Sequence, residues 1–205
     1  MPPQLGPALS RRSGVLLQLR ASGIITTTPY CDASQTLDNG SALCSGCDLQ
    51  EGYENCAPKT GTLAPMLAER WEVLEEGRAW RFSLRKGVQF HDGHGEMTAE
   101  DVKFTFATIA KEGSANSLGS EFRLIKSMDI EAPYTITIRF EKPFVAFGNK
   151  VTQGLLASVA FIQSKKYIES VGEEGAERHP VATGPWKFVE HVRGDRIVYE
   201  AVENH

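Results

Sequence analysis

The clearest alternation of apolar and polar side chains runs from Trp80 to Arg85. Trp80, Phe82 and Leu84 fall on one face and Arg81, Ser83 and Arg85 on the other, which is the period of a half-buried strand. Upstream, Trp71 and Val73 alternate with Glu72 and Leu74, and Glu75-Glu76-Gly77-Arg78 lies between the two runs. Two such runs across a short turn predict a hairpin. Lys86-Gly87 interrupts the second run, and Val88 and Phe90 resume it. A second hairpin is predicted from Ile125 to Phe140, where Ile136, Ile138 and Phe140 alternate with Thr135, Thr137 and Arg139 after the turn Ala132-Pro133-Tyr134. A third pairs Trp186–His191 with Arg196–Val202 across Arg193-Gly194-Asp195.

Helical spacing appears between these hairpins. Val102, Phe106, Ile109 and Ala110 form a stripe. Thr98 stands before it as a cap, and Glu100 and Asp101 favour the positive end of the helix dipole. Gly113 ends this helix, and Ser114–Ser120 reads as a loop. Further helices are predicted near Phe144–Val151 and Ser164–Val171. Leu63, Met66, Leu67 and Trp71 are spaced to line a short helical turn. His91-Asp92-Gly93 is a turn signal in which glycine supplies positive φ. Residues 1–60 carry little periodicity and predict irregular structure, with one short strand near Gly23–Thr28. Helices intermixed with antiparallel hairpins give an α/β class of the mixed α+β kind.

Composition narrows the function. Apolar residues make up 41 % of the 205, enough for a core. The net charge of −4 lacks the basic excess of a protein held to nucleic acid. No run of about 18 apolar residues predicts a spanning helix. Ser10-Arg11-Arg12 ahead of Gly14-Val15-Leu16-Leu17 has an element of an export signal, but Gln18 and Arg20 cut the apolar run short. The start of the chain therefore reads as incomplete or misassigned rather than as a clear signal peptide.

Cys31, Cys44, Cys47 and Cys56 are the only cysteines. Cys44 and Cys47 form one CxxC knuckle, where a zinc ribbon needs two. An even count in an exported chain favours two disulfides. A metal site and four free thiols are the alternatives, and three disulfide pairings are open.

His91, Asp92, His94 and Glu96 offer metal-ligating groups within six positions, but a polar turn after a strand accounts for them better, so no metal is expected there. No GxSxG elbow, HExxH or phosphate-cradling glycine loop occurs, and Gly172-Glu173-Glu174-Gly175 is acidic with no Lys-Ser or Lys-Thr after it. The chain is not read as an enzyme, and nothing calls for a cofactor. Trp71 and Trp80 sit on hairpin faces that must bury something, so both are expected in the core. Trp186, beside Gly184-Pro185, is the candidate ligand-binding residue, because indoles give large contact area in apolar clefts.

Three blocks carry a resemblance. They are AERWEVLEEGRAWRFSLRKGVQFHDG (68–93), MTAEDVKFTF (97–106) and SKKYIESVGEEGAERHPVATGPWKFVEHVRGDRIVYEAVEN (164–204). In order and spacing they resemble family 5 extracellular solute-binding proteins of ABC importers, whose members capture dipeptides, oligopeptides, nickel complexes and related solutes. The resemblance covers about 61–205. It implies part of a periplasmic-binding-protein type II-like lobe. Residues 61–165 would form a peripheral subdomain of lobe I, and 166–205 the start of the return into its central sheet.

The same resemblance implies a monomeric periplasmic or extracellular protein, associated with the membrane through a permease partner, that binds a peptide or other small solute. It also implies that the chain is a front part lacking the second lobe, and so is expected not to close on peptide by itself. His94-Gly95-Glu96 alters the link after the turn, Ala182 stands where many members have glycine, and residues 1–60 have no counterpart. The competing expectation is a Cys-anchored metal-binding or interaction module without a transport role.

Overall fold

The computed structural model describes residues 25–26, 64–65, 67–114, 116, 118–153, 161–184, 186–193 and 195–203. The cysteines, and the disulfide or metal roles expected of them, lie outside these residues.

Three short strands from distant parts of the chain share one small sheet. They are β1 (Ile25–Thr26), β2 (Ala64–Pro65) and, further on, Thr152–Gln153; β1 lies between the other two, antiparallel to β2 and parallel to the third. The strand expected near Gly23–Thr28 is thus present. β3 (Ala68–Leu74) and β4 (Ala79–Leu84) form the first predicted hairpin. Residues 68–74 are extended, so Leu67 and Trp71 do not share a helical face. The local spacing is overridden by the antiparallel ladder that matches Ala68 with Leu84 and Val73 with Trp80. The turn at Glu75–Gly77 holds Gly77 at φ +88, and a Cβ there would stand 3.0 Å from Val145 Cγ2. Glycine is therefore required both by the backbone angle and by the close approach.

The HDG turn, His91–Gly93, is a single 3-10 turn with Asp92 and Gly93 at positive φ. Then α1 (Ala99–Ala110) follows. The Asp101 carboxylate accepts from its N-cap Thr98 N–H at 2.8 Å. Part of the expected loop at 114–120 is the start of a short helix, α2 (Gly119–Phe122), whose Phe122 is fully buried. β5 (Ile125–Ala132) and β6 (Thr135–Phe140) make the second hairpin. The helix expected over Phe144–Val151 is confined to α3 (Phe147–Lys150), and the third strand of the small sheet is β7 (Thr152–Gln153). α4 (Lys165–Arg178) runs past the expected Val171 by breaking at Gly172, φ 75. β8 (Trp186–Val192) and β9 (Arg196–Ala201) form the third hairpin as a separate two-stranded sheet.

β3 to β6 form one antiparallel sheet in the order β3-β4-β6-β5. Its inner face is the predicted set Trp80, Phe82, Leu84, Ile136, Ile138 and Phe140, all buried. They close on α1, α2 and α3 through an aromatic cluster. Phe147 lies 4.8 Å from Phe140 and 5.9 Å from Phe122 between centroids, and Phe106 lies 4.8 Å edge-on to Phe122. Such pairs add to the burial term. The outer face carries cross-strand ion pairs, Arg81 with Glu131 and Arg139 with Glu75 and Asp129. Thr137, expected on the solvent side, is fully buried there, and its hydroxyl donates to Glu131 at 2.7 Å.

Candidate functional site

The sequence blocks around His91 and around Trp186 lie far apart in the chain but meet in space. The His91 N–H donates to the Ala182 carbonyl at 2.9 Å. The buried His91 ring places Nε2 2.7 Å from the Gly184 carbonyl. A carbonyl only accepts, so Nε2 carries the proton. β4 stops at Leu84, and the run Val88–Phe90 that follows leads into the turn, with Phe90 buried and its N–H donating to the Gly95 carbonyl at 2.8 Å. Local chain geometry explains the reach of this turn, because positive φ at Asp92 and Gly93 reverses the chain directly after His91.

Charge and rings reinforce the contact. Asp92 lies 3.6 Å from His179 Nε2 and 3.9 Å from Lys187 Nζ. Lys187 also pairs with Glu200 at 3.1 Å, and this bond, with the Glu200 and Asp92 charges, raises its pKa. The Tyr167 hydroxyl donates to the His179 carbonyl at 2.6 Å, and its own pKa is raised by burial and then by Asp92. His94 packs on the Tyr167 ring at 4.4 Å, and His179 lies edge-on to Phe188 at 5.2 Å. One turn, one helix start and one strand therefore converge on a seam built from donors and acceptors.

Trp186 opens β8 beside this seam. It is partly buried, and its indole N–H is shut off from solvent with no hydrogen-bond acceptor among the described residues. A buried donor without an acceptor is costly, by about 1–3 kcal/mol, and such exceptions mark places where a group from elsewhere can bind. The other tryptophans are spoken for. Trp80 is buried, its indole donates to the Phe144 carbonyl at 3.2 Å, and its ring stacks near Phe82. Trp71 packs against the same core.

The four ligating side chains clustered in the sequence point four ways. His91 turns to Gly184, Asp92 to His179 and Lys187, and His94 to Tyr167. Glu96 accepts from the Gly87 N–H at 2.5 Å, which, with the Tyr134 hydroxyl, lowers its pKa. Among the described residues no group of three or more His, Cys, Asp or Glu side chains is arranged to hold a metal ion. Sequence reasoning missed the roles of His91, Tyr167 and His179, because each acts through a partner remote in the chain. The available signal was that the two blocks most diagnostic of a family contained His91 and Trp186.

No helix among the described residues is long and apolar enough to cross a membrane. The chain is 29 % identical over 172 residues to the dipeptide-binding protein of Escherichia coli K12, covering 72 % of this chain and 31 % of that protein. It is 29 % identical over 140 residues to the oligopeptide-binding protein AppA of Bacillus subtilis 168, covering 68 % and 26 %. It thus spans less than a third of the length of either relative. NikZ of Campylobacter jejuni, solved with Ni(L-His), shares the fold over 96 % of this chain and 32 % of its own, with a TM-score of 0.65 at 24 % identity. The mixed helix and sheet with antiparallel hairpins is accordingly that of a periplasmic binding protein. The family described as bacterial extracellular solute-binding proteins, family 5 Middle, matches residues 62–205, and on that match the chain belongs to family 5 of the bacterial extracellular solute-binding proteins.

Proposed function

We propose that this chain acts in solute capture for an ABC importer, taking a peptide or similar small solute outside the cytoplasmic membrane and delivering it to a permease without chemical change. The observation that carries the reading is the family match over 62–205. Relatives named for dipeptide and oligopeptide binding support a peptide as the solute. Residues 61–165 serve as a peripheral subdomain of one lobe, and 166–205 begin the return into that lobe's central sheet. The seam between His91 and Gly184 then sits where the two parts join.

Capture in such a system depends on tighter binding to a closed state than to an open one. Trp186 is the ligand contact in this reading. Its acceptor-free indole N–H suits a peptide carbonyl or carboxylate, and its ring supplies apolar area.

The test is uptake of labelled di- to pentapeptides by the source bacterium with the gene intact, deleted and restored. Loss on deletion and recovery on restoration are expected; unchanged uptake of every peptide overturns the reading. Trp186→Phe in the restored gene keeps a ring and removes the N–H. Roughly a five- to thirtyfold rise in the half-saturating peptide concentration is expected, the equivalent of one hydrogen bond.

A further inference from the structure

A groove of about 560 Å3 runs between α1, the end of α2 and β5, lined by none of the seam residues. Lys103, Arg123 and Lys126 converge on it from three different elements, and all three are exposed. Ile125 and Met128, both half-buried, give it an apolar patch.

Basic side chains on the neighbouring elements are neutralised: Arg139 pairs with Asp129, Lys150 with Glu121 and Lys111 with Glu173. Lys103, Arg123 and Lys126 make no ion pair among the described residues. The one carboxylate at the rim, Asp129, is already engaged by Arg139 and accepts from the Ser127 hydroxyl at 3.1 Å. A chain of net charge −4 therefore keeps a local positive field over an apolar patch. Three like charges in one concavity repel one another, and an anion relieves that repulsion.

We infer that this groove docks a segment of a partner protein rich in Asp and Glu and carrying at least one apolar side chain. The carboxylates would meet the three cations and the apolar side chain would lie on Ile125 and Met128. Shape and charge select this occupant. A single inorganic anion is far smaller than the groove and gains nothing from its apolar patch. A bilayer cannot enter a concavity, and the overall negative charge opposes an anionic membrane. A freely diffusing solute is normally enclosed over most of its surface, whereas this groove is open along one side. The inference does not rest on the transport reading, since it uses no residue of the seam or of β8.

Fluorescence anisotropy of a labelled peptide of Glu and Asp interrupted by two leucines tests it on the full chain. Saturable binding is expected, weakening severalfold between about 50 and 300 mM salt as charges are screened. K103Q/R123Q/K126Q should weaken it at least tenfold, while K142Q/K166Q/R193Q, which removes as much charge from sites away from the groove, should leave it unchanged. Circular dichroism checks that both triple variants fold; should the first fail to, Lys126→Gln alone must still weaken binding about two- to threefold. An equal loss in both triple variants, binding by an all-Glu peptide as tight as by the leucine-bearing one, competition by inorganic phosphate, or retention on phosphatidylglycerol vesicles with no peptide binding each overturns the proposal.

Discussion

The four-stranded sheet and the β8–β9 hairpin are built from similar alternating runs, yet they are held in different ways. In the sheet, one face is sealed by α1, α2 and α3, with Phe82, Phe106, Phe122 and Phe147 fully buried. Both sheet edges, β3 and β5, carry charged residues and register shifts, the usual protection of an open edge. Among the described residues no helix seals a face of the hairpin. Val189, Val192 and Ile197 are 45 %, 37 % and 37 % exposed, and Phe188 is the only buried side chain among the described residues of the hairpin. What positions it is the seam at His91, Asp92, Tyr167 and His179. A two-stranded ribbon is marginal by itself, so its order depends on a few directed bonds, whereas the sheet depends on collective packing.

This contrast can be tested from the packed side first. Phe147 touches Phe140, Phe144 and Phe122 around one small helix. Phe147→Ala should cost about 3–5 kcal/mol in urea unfolding, since the cluster cannot collapse around a four-residue helix. A cost below about 1 kcal/mol would show that the cluster is loosely packed.

Asp101 joins α1 to the start of α4. Its carboxylate accepts from Thr98 N at 2.8 Å and from Lys165 N at 2.9 Å while buried. Asp101→Ala should cost about 1.5–3 kcal/mol, the range for bonds to a charged group. Lys165 N–H exchange should rise more than that of α1's middle; equal rises would mean that Asp101 acts only as a cap.

At the seam, His91→Ala should cost about 1–2 kcal/mol by stranding the Gly184 carbonyl. Hydrogen exchange should accelerate across β8 and β9 while β4 and β6 stay protected, as expected for a locally opening unit. Uniform acceleration across both regions would erase the distinction drawn here.

The smallest effect is in acid. The Thr137 hydroxyl, and after it the Arg81 guanidinium, hold the Glu131 carboxyl below its ordinary value of 4.5, against the opposing effect of burial. A depressed folded pKa stabilises above the unfolded value, and the contribution is lost as pH falls through the folded one. Thr137→Val should therefore move Glu131 titration, followed by carbon NMR, up toward 4.5, with little change in neutral-pH stability because the Glu131 side chain is partly exposed and keeps its Arg81 partner. An unshifted titration would reassign the effect to Arg81.

The period-two runs at 80–84 and 136–140 made the hairpins legible, and the Thr98 cap with its apolar stripe made α1 legible. Helix lengths were harder. α4 passes through Gly172 by a local break rather than stopping, and α3 is reduced to one turn around Phe147 because that ring is needed in the core. The helical turn expected of Leu63, Met66, Leu67 and Trp71 failed over the described residues 68–71 because a ladder to β4 outweighs a short helical spacing, a nucleus that is costly to form. Trp186 was singled out as a candidate by its place in the sequence, but its acceptor-free N–H was visible only once the surrounding chain was folded.

What the sequence determined by itself is local: alternation, caps and positive-φ turns act over a few residues through backbone sterics and side-chain burial, and the motif blocks identify the family. Tertiary structure alone decided which distant pieces meet. It put 25–26, 64–65 and 152–153 in one sheet, Thr137 under an ion pair on the outer face, and His91 against Gly184. The reason is that contacts across such separations are selected by the closure of long loops and by the total surface buried, which no short stretch of sequence encodes.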